Sequence, residues 1–200
     1  MTPRYCRLLL IIATCAALAG CMGTTKKEVL RYYLIEPDNA VASSNKTDIS
    51  IEIRELSIPQ YLDRFQIVTR TDTTRLRLAE FHQWGENLRE NLIHTTVRYL
   101  ARELGPEHIS SPLEHAQVDV DYQLDIYIEQ FELTADGLIT LEARWKIIET
   151  ENRSLVDSHH FIYKSQQKLA ADNYDDIVQD MQLLFNQLCR ELAQKLYVLA

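Results

Sequence analysis

The chain has 200 residues and is acidic, with 29 Asp and Glu against 21 Lys and Arg and a formal net charge of −8 at pH 7. This balance argues against nucleic acid or an anionic membrane surface as a partner of the folded body, because both would repel it. The length suits one domain with a substantial core and is short for two. We therefore expect a single domain that does not bind nucleic acid.

The first twenty residues have the layout of a secretory signal peptide. Arg4 and Arg7 precede an apolar run over Leu8–Leu18, which is followed by small residues. This run has about half of the roughly 20 apolar residues that a membrane-spanning helix needs. The string Leu-Ala-Gly-Cys, which ends at Cys21, resembles the bacterial lipobox. The resemblance implies cleavage before Cys21, a diacylglycerol on its thiol and acylation of the new N-terminus.

A lipid anchor at Cys21 is favoured over the alternative, an ordinary signal peptide followed by an incidental cysteine, because Cys21 stands where lipidation requires it. Three acyl chains would hold the protein firmly, since each buried methylene contributes about 0.8 kcal/mol. In lipoprotein sorting of the enterobacterial type, an Asp after the cysteine favours retention in the inner membrane. Met22 occupies that position, so we expect the periplasmic face of the outer membrane.

These features divide the chain into three parts. Residues 1–20 are the predicted signal peptide, residues 21–28 the lipidated N-terminus with a short tether, and residues 29–200 one periplasmic domain. Between Cys21 and Val29, residues 23–28 can extend only roughly 20 to 25 Å. Cys6 and Cys15 leave with the signal and Cys21 carries lipid, so Cys189 is the one remaining thiol and an internal disulfide is excluded.

The first half of the domain shows the period-two alternation of strands. We predict strands over 29–35, from Ile49 to Ile58-Pro59, over 66–70 and over 75–81, with a turn at 71–74 and a polar loop over 37–47. From Gly85 the apolar spacing becomes helical, and Gly105-Pro106 ends this helix.

The second half predicts a meander of three strands and a second long helix. The first strand runs over 118–133 with a bulge near Glu129-Gln130, where the alternation slips by one residue. Asp136-Gly137 predicts a tight hairpin, and further strands follow over 139–147 and 155–165. Asp172 is the expected cap of the last helix, whose apolar stripe runs over 177–196. The predicted fold is α+β in two layers, a mostly antiparallel sheet with two long amphipathic helices on one face.

Residue patterns typical of catalysis or cofactor binding are missing from the sequence. The glycines are scattered singly, and the six histidines lack the i, i+4 spacing of a zinc site. Four acids share one strand face, and acid–base chemistry or calcium binding is weighed there against the simpler interpretation that they form the polar half of an alternating strand. They are Asp119, Asp121, Asp125 and Glu129. We expect a non-enzymatic protein without cofactor or metal, and an inert Cys189 beside the last helix's apolar stripe.

One short segment differs from an ordinary turn. Residues 58–64 place aromatic, aliphatic and charged side chains between two strands, where a turn would use Gly, Asn and Ser. Apolar anchors beside an arginine are typical of protein interfaces. The candidate partner-binding residues are Tyr61, Leu62 and Arg64, with Trp84 as a weaker candidate. In the alternative interpretation, Tyr61 and Leu62 only close the end of the sheet.

Several strings together resemble the ABC-type transport auxiliary lipoproteins, the PqiC-like family. They are Leu18–Cys21, Arg31–Leu34, Ile58–Arg64, Gln66–Arg70 and Trp84–Leu88, in this order over nearly the whole mature chain. Family members commonly carry Ala and Pro where this chain has Gly85 and Asn87.

The resemblance implies a non-enzymatic subunit of an MCE-type lipid transport system that links the inner and outer membranes and contributes to envelope integrity. Its implied partner is a periplasmic MCE-domain protein of the PqiB-like kind, and a homo-oligomer stays open. Two alternatives remain: a scaffolding lipoprotein of another envelope machine and, less favoured, a lipid-modifying hydrolase that uses the acidic strand face.

Overall fold

The computed structural model describes residues 28–38, 47–105, 109–113 and 119–200. The predicted signal peptide, Cys21 and most of the predicted tether lie outside these residues. Within them the chain forms eight strands in one mixed sheet and two helices. The strands are β1 (Arg31–Tyr33), β2 (Ile51–Ser57), β3 (Gln66–Arg70), β4 (Leu76–Trp84), β5 (Ile109–Ser110), β6 (Tyr122–Leu133), β7 (Ile139–Glu149) and β8 (Ser154–Lys164). The helices are α1 (Leu88–Leu104) and α2 (Tyr174–Leu199).

Strand β6 is the centre of the sheet. Along one side it pairs in parallel first with β2 and then with β3, and along the other it pairs with β7 in an antiparallel ladder. Neighbouring strands follow the path β1-β4-β3-β6-β2-β5. β7 lies off this path and pairs with the other side of β6, and β8 pairs with β7. The long ladders, β6–β7 and β7–β8, are antiparallel. The predicted α+β fold is confirmed. The parallel strand pairs were not predicted, because periodicity does not indicate the relative direction of two strands.

Most predicted strands are present, with changes at their ends. The expected bulge lies between Ile128 and Gln130, and the hairpin turns at Gly137, whose φ of 85° suits a residue without a Cβ. The first strand is reduced to β1, because only 31–33 pair with β4. Strand β5 was not predicted.

Both helices begin at an asparagine. The Asn87 side chain accepts hydrogen bonds from the amides of Arg89 and Glu90 at the start of α1, as expected of a polar N-cap. The cap of α2 is Asn173. The prediction of Asp172 was therefore wrong by one residue, because the helix starts where Asn173 can reach the Asp176 amide.

The core lies between the helices and one face of the sheet, here called the helix-covered face. Apolar side chains of β6 and β7 alternate onto this face and meet the stripe of α2. Trp145 is 1% exposed, and the rings of Phe131 and Phe185 lie 6.1 Å apart. The intervening residues of each strand belong to the opposite face, here called the open face.

Asparagine side chains tie the segment after β1 to both helices. Asn91 of α1 accepts from the amide of Ile35 at 2.7 Å and donates to its carbonyl at 3.1 Å. Asn186 of α2 donates to the carbonyl of Glu36 at 2.9 Å and accepts from the amide of Asp38. These buried amides satisfy backbone groups that have no strand partner, and they hold β1 at the edge of the sheet.

No helix within the described ranges is long and apolar enough to cross a membrane.

Candidate functional site on the open face

The segment of residues 58–65, here called the 58–65 segment, interrupts one edge of β6. β2 stops pairing with β6 after Ser57, which lies opposite Tyr127. The chain pairs with β6 again in β3, where Thr69 lies opposite Leu133. The segment therefore spans the stretch of β6 that contains the bulge. Pro59 provides no amide for a sheet ladder, and its carbonyl accepts from the Leu62 amide at 2.9 Å. A compact turn forms in place of a continuous strand.

The four sequence-predicted partner-binding residues divide into two pairs. Leu62 and Trp84 are each 2% exposed and pack in the core. Tyr61 and Arg64 are partly exposed and lie together, because the Arg64 Nε donates to the Tyr61 carbonyl at 2.7 Å. Leu62 and Trp84 thus anchor the segment in the core, whereas Tyr61 and Arg64 lie at its surface.

Phe65, which was not among the predicted partner-binding residues, is the most exposed apolar side chain of the 58–65 segment, at 59%. Its carbonyl accepts from the Trp84 amide at 2.7 Å, so its backbone is fixed to β4. Alternation with Ile67 would predict an inward side chain. The turn before Gln66 changes that phase, and periodicity therefore carries no signal for the exposure of Phe65.

A buried carboxylate holds the 58–65 segment on the sheet. Glu132 is 0% exposed and accepts from the Tyr61 hydroxyl at 2.8 Å, from the Arg70 Nε at 2.9 Å and from the Gln130 side chain at 2.9 Å. A buried charge needs such partners, because moving a charged group out of water without a partner costs several kcal/mol. Burial, followed by the hydrogen bond to Glu132, raises the pKa of Tyr61 above its ordinary value. The phenol stays protonated as the donor.

The acidic strand face of the sequence analysis carries paired groups where the structure describes its contacts. Asp125 is 1% exposed and accepts from the Arg54 Nε at 2.8 Å. Asp121 accepts from the Ser50 amide at 2.7 Å, and Glu129 accepts from Arg144 at 2.6 Å. Asp119 is exposed and precedes β6. These contacts fit the interpretation of the acids as the polar half of a strand.

Glu129, Glu142 and His160 are close enough to share a cation, with one ligand atom from each within 4.8 Å of the others. His160 Nε2 lies 2.9 Å from Glu142 Oε1. The Arg144 guanidinium already neutralises Glu129, which disfavours an added metal ion at this position.

Cys189 lies on α2, with its Sγ 4.0 Å from the Thr96 Oγ1 of α1, and is 0% exposed. Burial raises the pKa of its thiol to about 12. The thiolate is the reactive form of cysteine, and burial disfavours it here, which agrees with the expectation of an inert thiol.

A family model for the ABC-type transport auxiliary lipoprotein component matches residues 32–193. The chain belongs to this family. The matched range includes the 58–65 segment, the whole sheet from β2 onward and most of α2. Membership confirms the resemblance of the sequence strings. It makes the protein an auxiliary lipoprotein of a transport system, and hence one with partners in the cell envelope.

Solved structures agree on the fold. An uncharacterised protein is 19% identical, covers 84% of this chain and 99% of its own, and superposes with a TM-score of 0.66. A protein from Xanthomonas campestris is 17% identical, covers 83% and 90% respectively, and has a TM-score of 0.63. At these identities the similarity establishes the fold alone. No curated protein matches the chain.

Proposed function

We propose that this protein is a non-enzymatic outer-membrane lipoprotein of an MCE-type lipid transport system, on the periplasmic face of that membrane. It receives the far end of a lipid conduit that a periplasmic MCE-domain protein extends from the inner membrane. The observation that carries the proposal is the family match over residues 32–193. The Leu-Ala-Gly-Cys string ending at Cys21 and the Met22 that follows support the anchor and its membrane.

The 58–65 segment is the proposed contact with the conduit protein. Its surface combines the exposed Phe65 ring with Tyr61 and Arg64, the aromatic and arginine residues that dominate protein interfaces. Leu62 and Trp84 act in this proposal by holding the segment from the core. The Glu132 network fixes Tyr61 before binding, which reduces the entropy that an interface loses on forming.

The anchor is tested by Cys21→Ser. We expect the variant to take up no palmitate and to leave the outer-membrane fraction, because the thiol that carries diacylglycerol is gone. Cys189→Ser is the matched control and should be labelled and fractionated like the natural protein. Palmitate uptake by Cys21→Ser with unchanged fractionation would contradict the lipoprotein anchor.

The partner is tested by photo-crosslinking in cells. A benzophenone side chain at position 65 should crosslink to a periplasmic MCE-domain protein. The control is the same group at Leu183, which is equally exposed, at 59%, on α2. Crosslinks from position 65 to components of another envelope machine would favour the scaffolding alternative. Equal crosslinking from both positions would contradict the contact segment.

A further inference from the structure

Five exposed apolar side chains lie at one corner of the sheet, on β1, β4 and the residues just before β1. They are Val29 (72% exposed), Tyr32 (64%), Leu78 (44%), Leu76 (38%) and Leu30 (38%). This group, here called the β1–β4 patch, is not covered by any element that the structure describes. Grouped exposed apolar side chains are typical of an interaction site.

Contacts and strand registers place Tyr32, Leu76 and Leu78 on the open face. Arg31 and Tyr33 both donate to Asp175 of α2, so Tyr32 between them points to the opposite face. Thr69 pairs with Leu133 of the core and with Arg77. Leu76 and Leu78 flank Arg77 and therefore lie on the open face with Tyr32.

The direction of β1 brings the anchor end of the chain to this corner. β1 runs parallel to β4, with Arg31 beside His82 and Tyr33 beside Trp84. The chain before Arg31 therefore heads toward the start of β4, where Leu76 lies. Only seven residues lie between Cys21 and Val29, and the eight steps along the chain limit their distance to about 28 Å at roughly 3.5 Å per residue. Acyl chains on Cys21 thus stay within reach of the patch.

The charge around the corner permits contact with a bilayer, although the whole chain is acidic. Around the patch, the basic residues Lys26, Lys27, Arg31, Arg75 and Arg77 are close in number to the acidic residues Glu28, Asp72, Glu80 and Asp175, and Arg31 and Arg75 are paired with Asp175 and Asp72. Attraction to anionic lipids decays within a Debye length of about 8 Å. A lipid surface at this corner therefore experiences this nearly balanced local charge more than the distant acidic residues.

We infer that the β1–β4 patch lies in the headgroup region of the membrane that holds the Cys21 acyl chains, and that it orients the domain on that membrane. This inference rests on the proposed lipid anchor. The tether keeps the patch at a high effective concentration near the bilayer, so a modest apolar area is sufficient.

Spin labels test the orientation. Tyr32→Cys, Leu78→Cys and the control Leu183→Cys are labelled with a nitroxide in the lipidated protein, in vesicles of phosphatidylethanolamine and phosphatidylglycerol. Buried Cys189 does not compete for the label. We expect the labels at 32 and 78 to be several-fold less accessible to a water-soluble nickel chelate than the label at 183. The same labels on Cys21→Ser protein should be open to the chelate.

Flotation of the vesicles separates the two proposals. Protein that floats while its labels at 32 and 78 remain as accessible as the label at 183 overturns this inference alone. Protein that does not float shows that the anchor is wrong, and the inference falls with it. Leu78→Glu provides a second measurement: it should restore chelate access to the label at 32, with an unchanged thermal midpoint because Leu78 is exposed.

Discussion

The two faces of the sheet are held together by different physics. On the helix-covered face, β6 and β7 contribute Phe131, Leu141 and Trp145, each at most 1% exposed, to a continuous apolar core. On the open face β6 buries the carboxylates Asp125 and Glu132, and each is paired with an arginine of a neighbouring strand. Apolar burial stabilises without direction, whereas ion pairs fix particular neighbours. Stability is therefore concentrated on one face, and the other specifies the position of surface groups.

The two carboxylates of the open face also differ from each other. Asp125 joins β6 to Arg54 of the adjacent β2, so it reinforces a pairing that the backbone already makes. Glu132 joins β6 to Tyr61, which lies outside any strand. Only the second carboxylate positions the 58–65 segment.

The largest effect is expected on the helix-covered face. Phe131→Ala should lower the free energy of unfolding by about 3 to 5 kcal/mol, because it removes a fully buried ring and leaves a cavity beside Phe185. Urea unfolding followed by circular dichroism measures the loss. A change below about 1 kcal/mol would mean that this ring does not belong to a close-packed core.

Glu132→Gln should lower the free energy of unfolding by about 2 to 3 kcal/mol, because it removes the buried charge to which Arg70 and Tyr61 donate. Arg70 is 25% exposed and can regain water, which keeps the cost below that of a fully buried pair. Glu129→Gln is the matched control on the same strand. Its pair with Arg144 is exposed, so we expect less than about 1 kcal/mol. Equal losses in both variants would remove the distinction between the two carboxylates.

Tyr61→Phe should cost about 1 to 2 kcal/mol and loosen the 58–65 segment locally, since Glu132 loses one donor. Hydrogen exchange at the Leu62 and Arg64 amides, which bond within the segment, should become faster. Tyr127→Phe removes a hydroxyl that donates to Asp125 and should leave these amides unchanged. Unaltered exchange in Tyr61→Phe would show that the hydroxyl does not hold the segment.

Phe65→Ala should have the smallest effect on stability, below about 0.5 kcal/mol, because the ring is mostly exposed. Its expected effect is on binding: loss of an interface anchor typically costs 2 kcal/mol or more, about thirtyfold in affinity. Affinity for the conduit protein and the thermal midpoint are measured together, with Leu183→Ala as the control. Unchanged affinity would remove Phe65 from the contact.

Local patterns were sufficient for most elements of the fold. Alternation predicted the strands of the β6–β8 meander, a phase slip predicted the bulge, and Asp136-Gly137 predicted the hairpin. Each of these depends on a few neighbouring residues, since periodicity expresses which side of one element is buried. Strand β5 escaped prediction because two residues are too short to show a period.

The candidate site was predictable only in part. Composition singled out residues 58–64 as unlike a turn, which located the segment and its Tyr61 and Arg64. Burial of Leu62 and exposure of Phe65 depend on what lies beneath each residue, and neighbours in sequence do not supply that information.

Sequence alone therefore established the α+β class, the two long helices, the meander and the strings of an auxiliary lipoprotein, because each is written in local spacing or short motifs. Tertiary structure decided the order of the strands, with β2 and β3 following one another along β6. It also brought Tyr61 to Glu132, 71 residues away. Alternation states that a strand has a buried side but does not name its neighbour, and contacts between distant residues follow from which strands pair.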